Sequence, residues 1–220
     1  MCRKPIVNSI VIRESVVVDQ HGLGNFTTIQ EALAAASNET GVKDGFFQIH
    51  EKGGSYEEYV SVVYNKKNIM ITGDEKNITI ITGNCSVEVK GEHFIAINMT
   101  FCNIARAAKG QALAVQNNVN LLAFYNCSFE CFQDTLCASS GSQFYRNYDI
   151  YGTIDFIFGY AVATSASPNV ASGGGSTKTY LGRPWGQYSR TVYMQSIMDA
   201  LDDPLGWPVL ISLPGIRQLI

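Results

Sequence analysis

The stretch FECFQDTLCASSGSQFYRNYDIYGTIDFIFG, residues 129–159, holds two aspartates, Asp134 and Asp155, set among apolar and aromatic neighbours where an unpaired charge is costly to bury. Two carboxylates about one repeat apart can lie side by side on one face of a stacked solenoid. Their surroundings can then separate their pKa values, leaving one protonated as an acid and the other ionised as a nucleophile or base. Asx-type turn residues closing strands are an equally weighted reading, which Asp155 strains because it sits inside TIDFIF.

YLGRPWGQYSR adds Arg183 and Trp185. A guanidinium keeps a carboxylate ionised and fixes its orientation, and an exposed indole is a platform for a sugar ring or an ester. The alternative for Pro184-Trp185 is a turn with a core indole. In KGQALAVQ, the amide of Gln111 can donate to a developing oxyanion as readily as it can cap a turn.

These residues need a scaffold. After a strand at Ser15–Val18, GNFTTIQEALAAASNE reads as a turn and one amphipathic helix, capped by Thr27 or Thr28, with Ile29, Leu33 and Ala36 on one face. From Phe46 onward the chain becomes short apolar runs split by Gly, Asn and Asp: GFFQIH, NIMITG, NITIITGN, HFIAINMTF, LLAFYNCSF, QFYRNYDIYG and TIDFIFG. Such runs predict an all-β protein. Asn98, Asn126 and Asn147 each open an Asn-any-polar-apolar unit, with Asn77 as a weaker fourth, at successive offsets of 21, 28 and 21 residues. That period suits stacked repeats, and Asn suits a corner where the backbone turns left-handed. The spacing therefore predicts a right-handed parallel β-helix, a solenoid with a short N-terminal capping helix; an irregular β-sandwich is the competing architecture. TSASPNVASGGGSTKT, Gly- and Ser-rich without apolar period, reads as a flexible loop.

Composition narrows the function. The chain has 220 residues, 46% hydrophobic and 16% charged, enough for one substantial core, and its net charge of -3 with scattered Lys and Arg leaves no footprint for nucleic acid. Six cysteines without a CxxC pair, beside three histidines, argue against zinc. Cys127 and Cys131 read either as a disulfide or, by preference, as buried small hydrophobes. No stretch is apolar enough to cross a membrane, and the first twenty residues show no signal peptide because Arg13 and Glu14 interrupt the apolar run. Six sequons, at Asn25, Asn38, Asn77, Asn84, Asn98 and Asn126, pull the other way, toward a secreted glycoprotein.

From about Val17 to Trp207 the chain resembles the plant pectin methylesterases (pectinesterases), through GNFTTIQEALAAA, GGSYEEYV, ITGDEKNITIITGN, INMTFCNIA, QALAV, FQDTL, QFYRNYDIYGTIDFIFG and YLGRPWGQYSRTVYMQS. QDTL, GTIDFIFG and LGRPW in that order are highly specific. The resemblance implies a right-handed parallel β-helix and hydrolysis of methyl esters of homogalacturonan. Carried over by position, it makes Asp155 the nucleophile, Asp134 the general acid and then base, Gln111 and Gln133 oxyanion stabilisers, Arg183 the residue that orients the nucleophile, and Trp185, with Gln111 and Arg183, the substrate-binding set. It implies no metal or organic cofactor, methylesterified pectin and water as the only partners, no nucleic acid, no membrane, a monomer, and secretion to the cell wall.

The chain departs from that pattern. The family has several dozen residues between DFIFG and LGRPW, where this chain has little more than YAVATSASPNVASGGGSTKT, and a shorter deficit falls between ITGN and HFIAINMT. Tyr148 stands where many members have a cysteine whose partner would lie in the missing segment. The expected organisation is an N-terminal extension over 1–14, a pectinesterase-like β-helix over 15–207 with 164–178 a loop replacing missing coils, and a tail over 208–220. A truncated, non-catalytic relative that binds pectin, or a defective product, is the alternative. A pectin lyase would call for Ca²⁺ or a basic Arg or Lys and a polygalacturonase for an aspartate cluster, and neither stands near QDTL.

Overall fold

The structure, a computed structural model, describes residues 10–84, 87–105, 113–153, 155–160, 162–166, 169–172, 182–184, 189–195 and 197–198. Within them the chain winds as a right-handed parallel β-helix built from three sheets. The first sheet takes β1 (Ile12–Val18), β2 (Phe46–Glu51), β5 (Ile69–Gly73), β8 (Phe94–Ile97), β11 (Leu122–Tyr125), β14 (Ser142–Arg146), β17 (Val162–Ala166) and β20 (Arg190–Met194). The second takes β3 (Gly54–Glu57), β6 (Thr79–Gly83), β9 (Thr100–Asn103), β12 (Ser128–Glu130), β15 (Asp149–Gly152), β18 (Asn169–Ser172) and β21 (Ile197–Met198). The third takes β4 (Val60–Val62), β7 (Val87–Val89), β10 (Val115–Asn118), β13 (Leu136–Ser140), β16 (Ile157–Gly159) and β19 (Gly182–Pro184).

The Asn units are the turns between the first and second sheets. Asn77, Asn98, Asn126 and Asn147 have φ of 76, 59, 53 and 52°, and each stands two residues before a strand of the second sheet. Asn tolerates this left-handed geometry better than β-branched or bulky residues. The side chains also bind one another: Asn126 Nδ2 donates to Asn98 Oδ1 at 2.8 Å. HFIAINMTF, LLAFYNCSF and QFYRNYDIYG are thus each two strands folded at the Asn.

Period-2 alternation sends every second side chain inward. The inward aromatics stack along the axis: Phe124 packs against Phe94, Phe101, Phe129 and Tyr145 at centroid distances of 5.2–5.8 Å, and Tyr148 joins Phe129 and Tyr145 at 5.8 and 5.9 Å. Tyr148, fully buried, is a core residue of this column. Inside the same core Tyr145 Oη donates to Gln143 Oε1 at 2.5 Å and accepts from Asn117 Nδ2 at 2.8 Å.

Helix α1 (Ile29–Ala35) closes the N-terminal end. Thr28 caps it by accepting from the Glu31 amide, and the Glu58 carboxylate takes the Ile29 and Gln30 amides at 3.0 and 3.1 Å. Ile29, Ala32, Leu33 and Ala36 are buried against the first coils. Near this end Glu51 points into the core, fully buried, and neither of its carboxylate oxygens has a hydrogen-bond partner among the described residues. Burial pushes its carboxyl well above the ordinary range, and the nearby charge of Glu58 adds to the shift.

Two expectations need correction. β1 begins at Ile12, inside the stretch assigned to an N-terminal extension. Within 164–178, expected as a loop, the described residues 164–166 and 169–172 are strand, with β17 paired to β14 and β18 to β15. Small Ser, Thr and Ala side chains give no alternation to read, but a rung takes its register from backbone bonds to the rung before it. Cys127 and Cys131 are free thiols, as are Cys102 and Cys137. Cys127 is fully buried, which pushes its thiol up to about 12. Cys2, Cys85 and the tail over 208–220 lie outside the described residues.

Candidate active site

The two aspartates stand on the turns that lead from the second sheet into the third. Leu136 of β13 pairs with Ile157 of β16, so Asp134 and Asp155, each two residues upstream, occupy the same position on adjacent coils, and neighbouring strands lie about 4.8 Å apart. Both residues have positive φ, 62 and 56°, and both are 2% exposed. The shared geometry follows from local bonds. Leu136 N donates to Phe156 O at 3.0 Å, Thr153 Oγ1 to Phe132 O at 2.6 Å, and Cys131 N and Thr135 Oγ1 both to Tyr151 O at 3.2 Å. These bonds lash the Asp134 turn to the coil that carries Asp155.

Glycine permits the close approach. A Cβ on Gly152 would fall 2.6 Å from Thr135 Oγ1, and one on Gly159, at φ 125°, would fall 2.2 Å from Ala138 O. The final Gly of DFIFG is therefore required by the neighbouring backbone.

Around the acids, Gln133 is half-buried beside Asp134, and the Cys131 thiol donates to its carbonyl at 3.0 Å. Burial pushes that thiol up to about 11; the bonds to Thr135 and Gln133 oppose the shift, and the charge of Asp134 adds to it. Phe132, 40% exposed two residues before Asp134, offers aromatic surface on the same turn, while Tyr160, 58% exposed, follows β16 where the chain leaves the third sheet. The sequence motifs do not single out either residue; aromatic rings flanking QDTL and DFIFG were the available signal. Farther toward the N-terminal end, Glu57, Glu58, Tyr59, Gly83 and Asn84 line an open cleft on the same series of turns.

The β16–β19 pairing sets Arg183 opposite Phe158 on the coil that follows Asp155. Only the backbone of Arg183 is described. The connection thus delivers Gly182–Pro184 to the sheet that the acid-bearing turns enter. Gln111 and Trp185 lie outside the described residues.

Comparison with known proteins follows the same lines. Residues 15–172 and 163–213 match the sequence profile of the Pectinesterase family. A probable pectinesterase/pectinesterase inhibitor of Arabidopsis thaliana is 41% identical over 251 residues, covering 90% of this chain and 40% of that protein. Pectinesterase 2 of Citrus sinensis is 39% identical, covering 89% and 47%. The chain spans about half the length of the curated relatives it matches, between 40% and 48%. The aligned span of 251 positions exceeds the whole 220-residue chain, so the relative carries internal residues that this chain lacks. Among solved structures, the pectin methylesterase from carrot superposes with a TM-score of 0.78 at 35% identity, covering 87% of this chain and 76% of that one. That of Aspergillus niger gives 0.74 at 25%, covering 90% and 80%. A parallel solenoid with paired aspartates at one series of turns, a family profile over most of the chain and relatives near 40% identity together make this chain a member of the pectinesterase family.

Proposed function

We propose that the protein hydrolyses methyl esters of homogalacturonan, releasing methanol and leaving free carboxylates. The observation that carries this reading is the Asp134–Asp155 pair, buried at one register position on adjacent coils. The Asp155 carboxylate attacks the ester carbonyl carbon, and the tetrahedral oxyanion is held by the amides of Gln111 and Gln133. Asp134, as the acid, protonates the departing methoxide, so that methanol leaves and an acyl-enzyme anhydride remains. Asp134, now a carboxylate, takes a proton from water as it adds to the acyl carbon; collapse frees the galacturonate and restores Asp155. Arg183 orients Asp155 and, with Gln111 and Trp185, binds the polysaccharide. The scheme needs no cofactor and one chain, and its setting is the cell wall after secretion. The reacting residue of substrate is neutral, so a chain with a net charge of -3 does not repel it.

Methanol released from methylesterified pectin, quantified with the purified full chain and with Asp155→Asn, tests the proposal. Release by the parent and none by the variant is expected. A folded parent without release overturns it.

A second reading, a relative that binds pectin without turning it over, is favoured by the internal residues that the Arabidopsis protein has and this chain lacks. Retention on methylesterified pectin without methanol release would establish it.

A further inference from the structure

The six sequons are chemically alike, yet the fold treats them differently. Asn98 and Asn126 are half-buried on adjacent coils and joined amide to amide at 2.8 Å. Each is followed by a fully buried residue, Met99 and Cys127. A sugar on either must fit between rungs about 4.8 Å apart. Asn25 is exposed, but its Oδ1 accepts the Val17 amide at 2.8 Å and holds the turn before α1. The sequon at Asn84 runs into residues 85 and 86, which lie outside the described set.

Asn38 and Asn77 differ from all of these. Both are exposed, and neither carboxamide takes part in a hydrogen bond among the described residues. Their surroundings are nevertheless fixed. Glu39 N donates to Asn65 O at 2.8 Å and Thr40 Oγ1 to Lys67 O at 2.9 Å, so the Asn38 turn is tied to the next coil. Asn77 N donates to Thr100 Oγ1 at 3.1 Å, and the Thr79 hydroxyl accepts the Asp74 amide at 3.1 Å. Each Asn thus stands on a rigid turn with an unused amide facing solvent. Beside Asn77, Ile78 is 52% exposed, apolar surface that an attached sugar would cover.

We propose that Asn38 and Asn77 are N-glycan acceptors of this protein and that Asn98 and Asn126 are unmodified in its folded form. The inference goes beyond the esterase reading and shares with it only entry into the secretory route. In the reaction Asn Nδ2 attacks C1 of the first sugar of a lipid-diphosphate-linked oligosaccharide. The N–C1 bond forms, the C1–O bond to the diphosphate breaks, the amide proton leaves, and the lipid diphosphate departs. Both acceptors keep the acid-bearing edge clear: Asn77 stands on the turn from the first sheet to the second, and Asn38 follows the capping helix, whereas Asp134 and Asp155 stand between the second sheet and the third.

The test is glycopeptide mass mapping of the full chain expressed in plant cells behind an appended signal peptide. It is read in the protease-resistant folded fraction from medium or microsomes. Glycans are expected at both Asn38 and Asn77, lost one at a time in Asn38→Gln and Asn77→Gln, with methanol release equal to that of the parent. A glycan at Asn98 or Asn126 in that fraction, or none at Asn38 or Asn77, overturns the inference. Because site occupancy is read by mass and esterase action by methanol, failure of one is distinguishable from failure of the other.

Discussion

Asp134 and Asp155 stand one coil apart at a single register position, both buried and both in the left-handed backbone region. That relationship determines how each can be tested. Asn shares with Asp the tolerance of positive φ, whereas Ala there costs about 1–2 kcal/mol. Asp134→Asn and Asp155→Asn are therefore expected to fold like the parent. Asp134→Asn should lower methanol release by about 10²–10⁴-fold, the usual range for loss of a general acid-base. Asp155→Asn should fall to the assay background. Ala at either position should in addition lower the unfolding midpoint, measured by chemical denaturation.

Glu51 gives a pH prediction. Its folded-state pKa is raised above the ordinary 4.5, so the fold binds its proton more tightly than the unfolded chain does. The stability it contributes is complete below the unfolded value and is lost as pH rises through the folded value. Glu51→Met keeps the volume and removes the ionisation. At pH 8 it should be more stable by roughly 1–3 kcal/mol, the scale of an unsatisfied buried polar group, or about 2–4 °C per kcal/mol. The advantage should shrink toward pH 4, as thermal unfolding across that range will show.

At the Asn corners, backbone strain and ladder bonding can be separated. Asn126→Gly and Asn126→Ala both remove the amide bond to Asn98, but only Ala also carries the cost of φ 53°. Ala should be less stable than Gly by about 1 kcal/mol in urea unfolding. Equal stability would assign the role of the corner to the amide ladder alone.

Phe129 lies at the centre of the aromatic column, against Phe101, Phe124, Tyr145 and Tyr148. Phe129→Ala should cost about 3–5 kcal/mol. Because Phe129 leads directly into the Cys131–Asp134 turn, methanol release per folded molecule should fall with it.

How much of this was legible in sequence varies with the device that sets each element. The corners were legible because left-handed backbone selects Asn, and Asn77, Asn98, Asn126 and Asn147 recur at the repeat. The helix was legible from its cap and apolar stripe. The third sheet was largely hidden, since Val60–Val62 and Val87–Val89 are too short to show a period. The β17–β18 rung was hidden for another reason: its Thr, Ser and Ala residues carry little pattern, and its register comes from backbone bonds to β14 and β15. The shared turn of Asp134 and Asp155 could be anticipated from their separation of one repeat, but not their common φ or the Gly152 contact that packs the two turns together.

A ladder in which each strand bonds only to the strand before and after it has a further consequence. Chain length in such a protein is tolerant in whole steps and intolerant of fractions. Residues removed between two rungs leave every other pairing untouched, provided the next strand re-enters at the same phase, as β19 does against β16. The ladder works as a ratchet: connecting chain can differ in length while the teeth stay aligned, and Gly182–Pro184 arrives one notch beyond Ile157–Gly159.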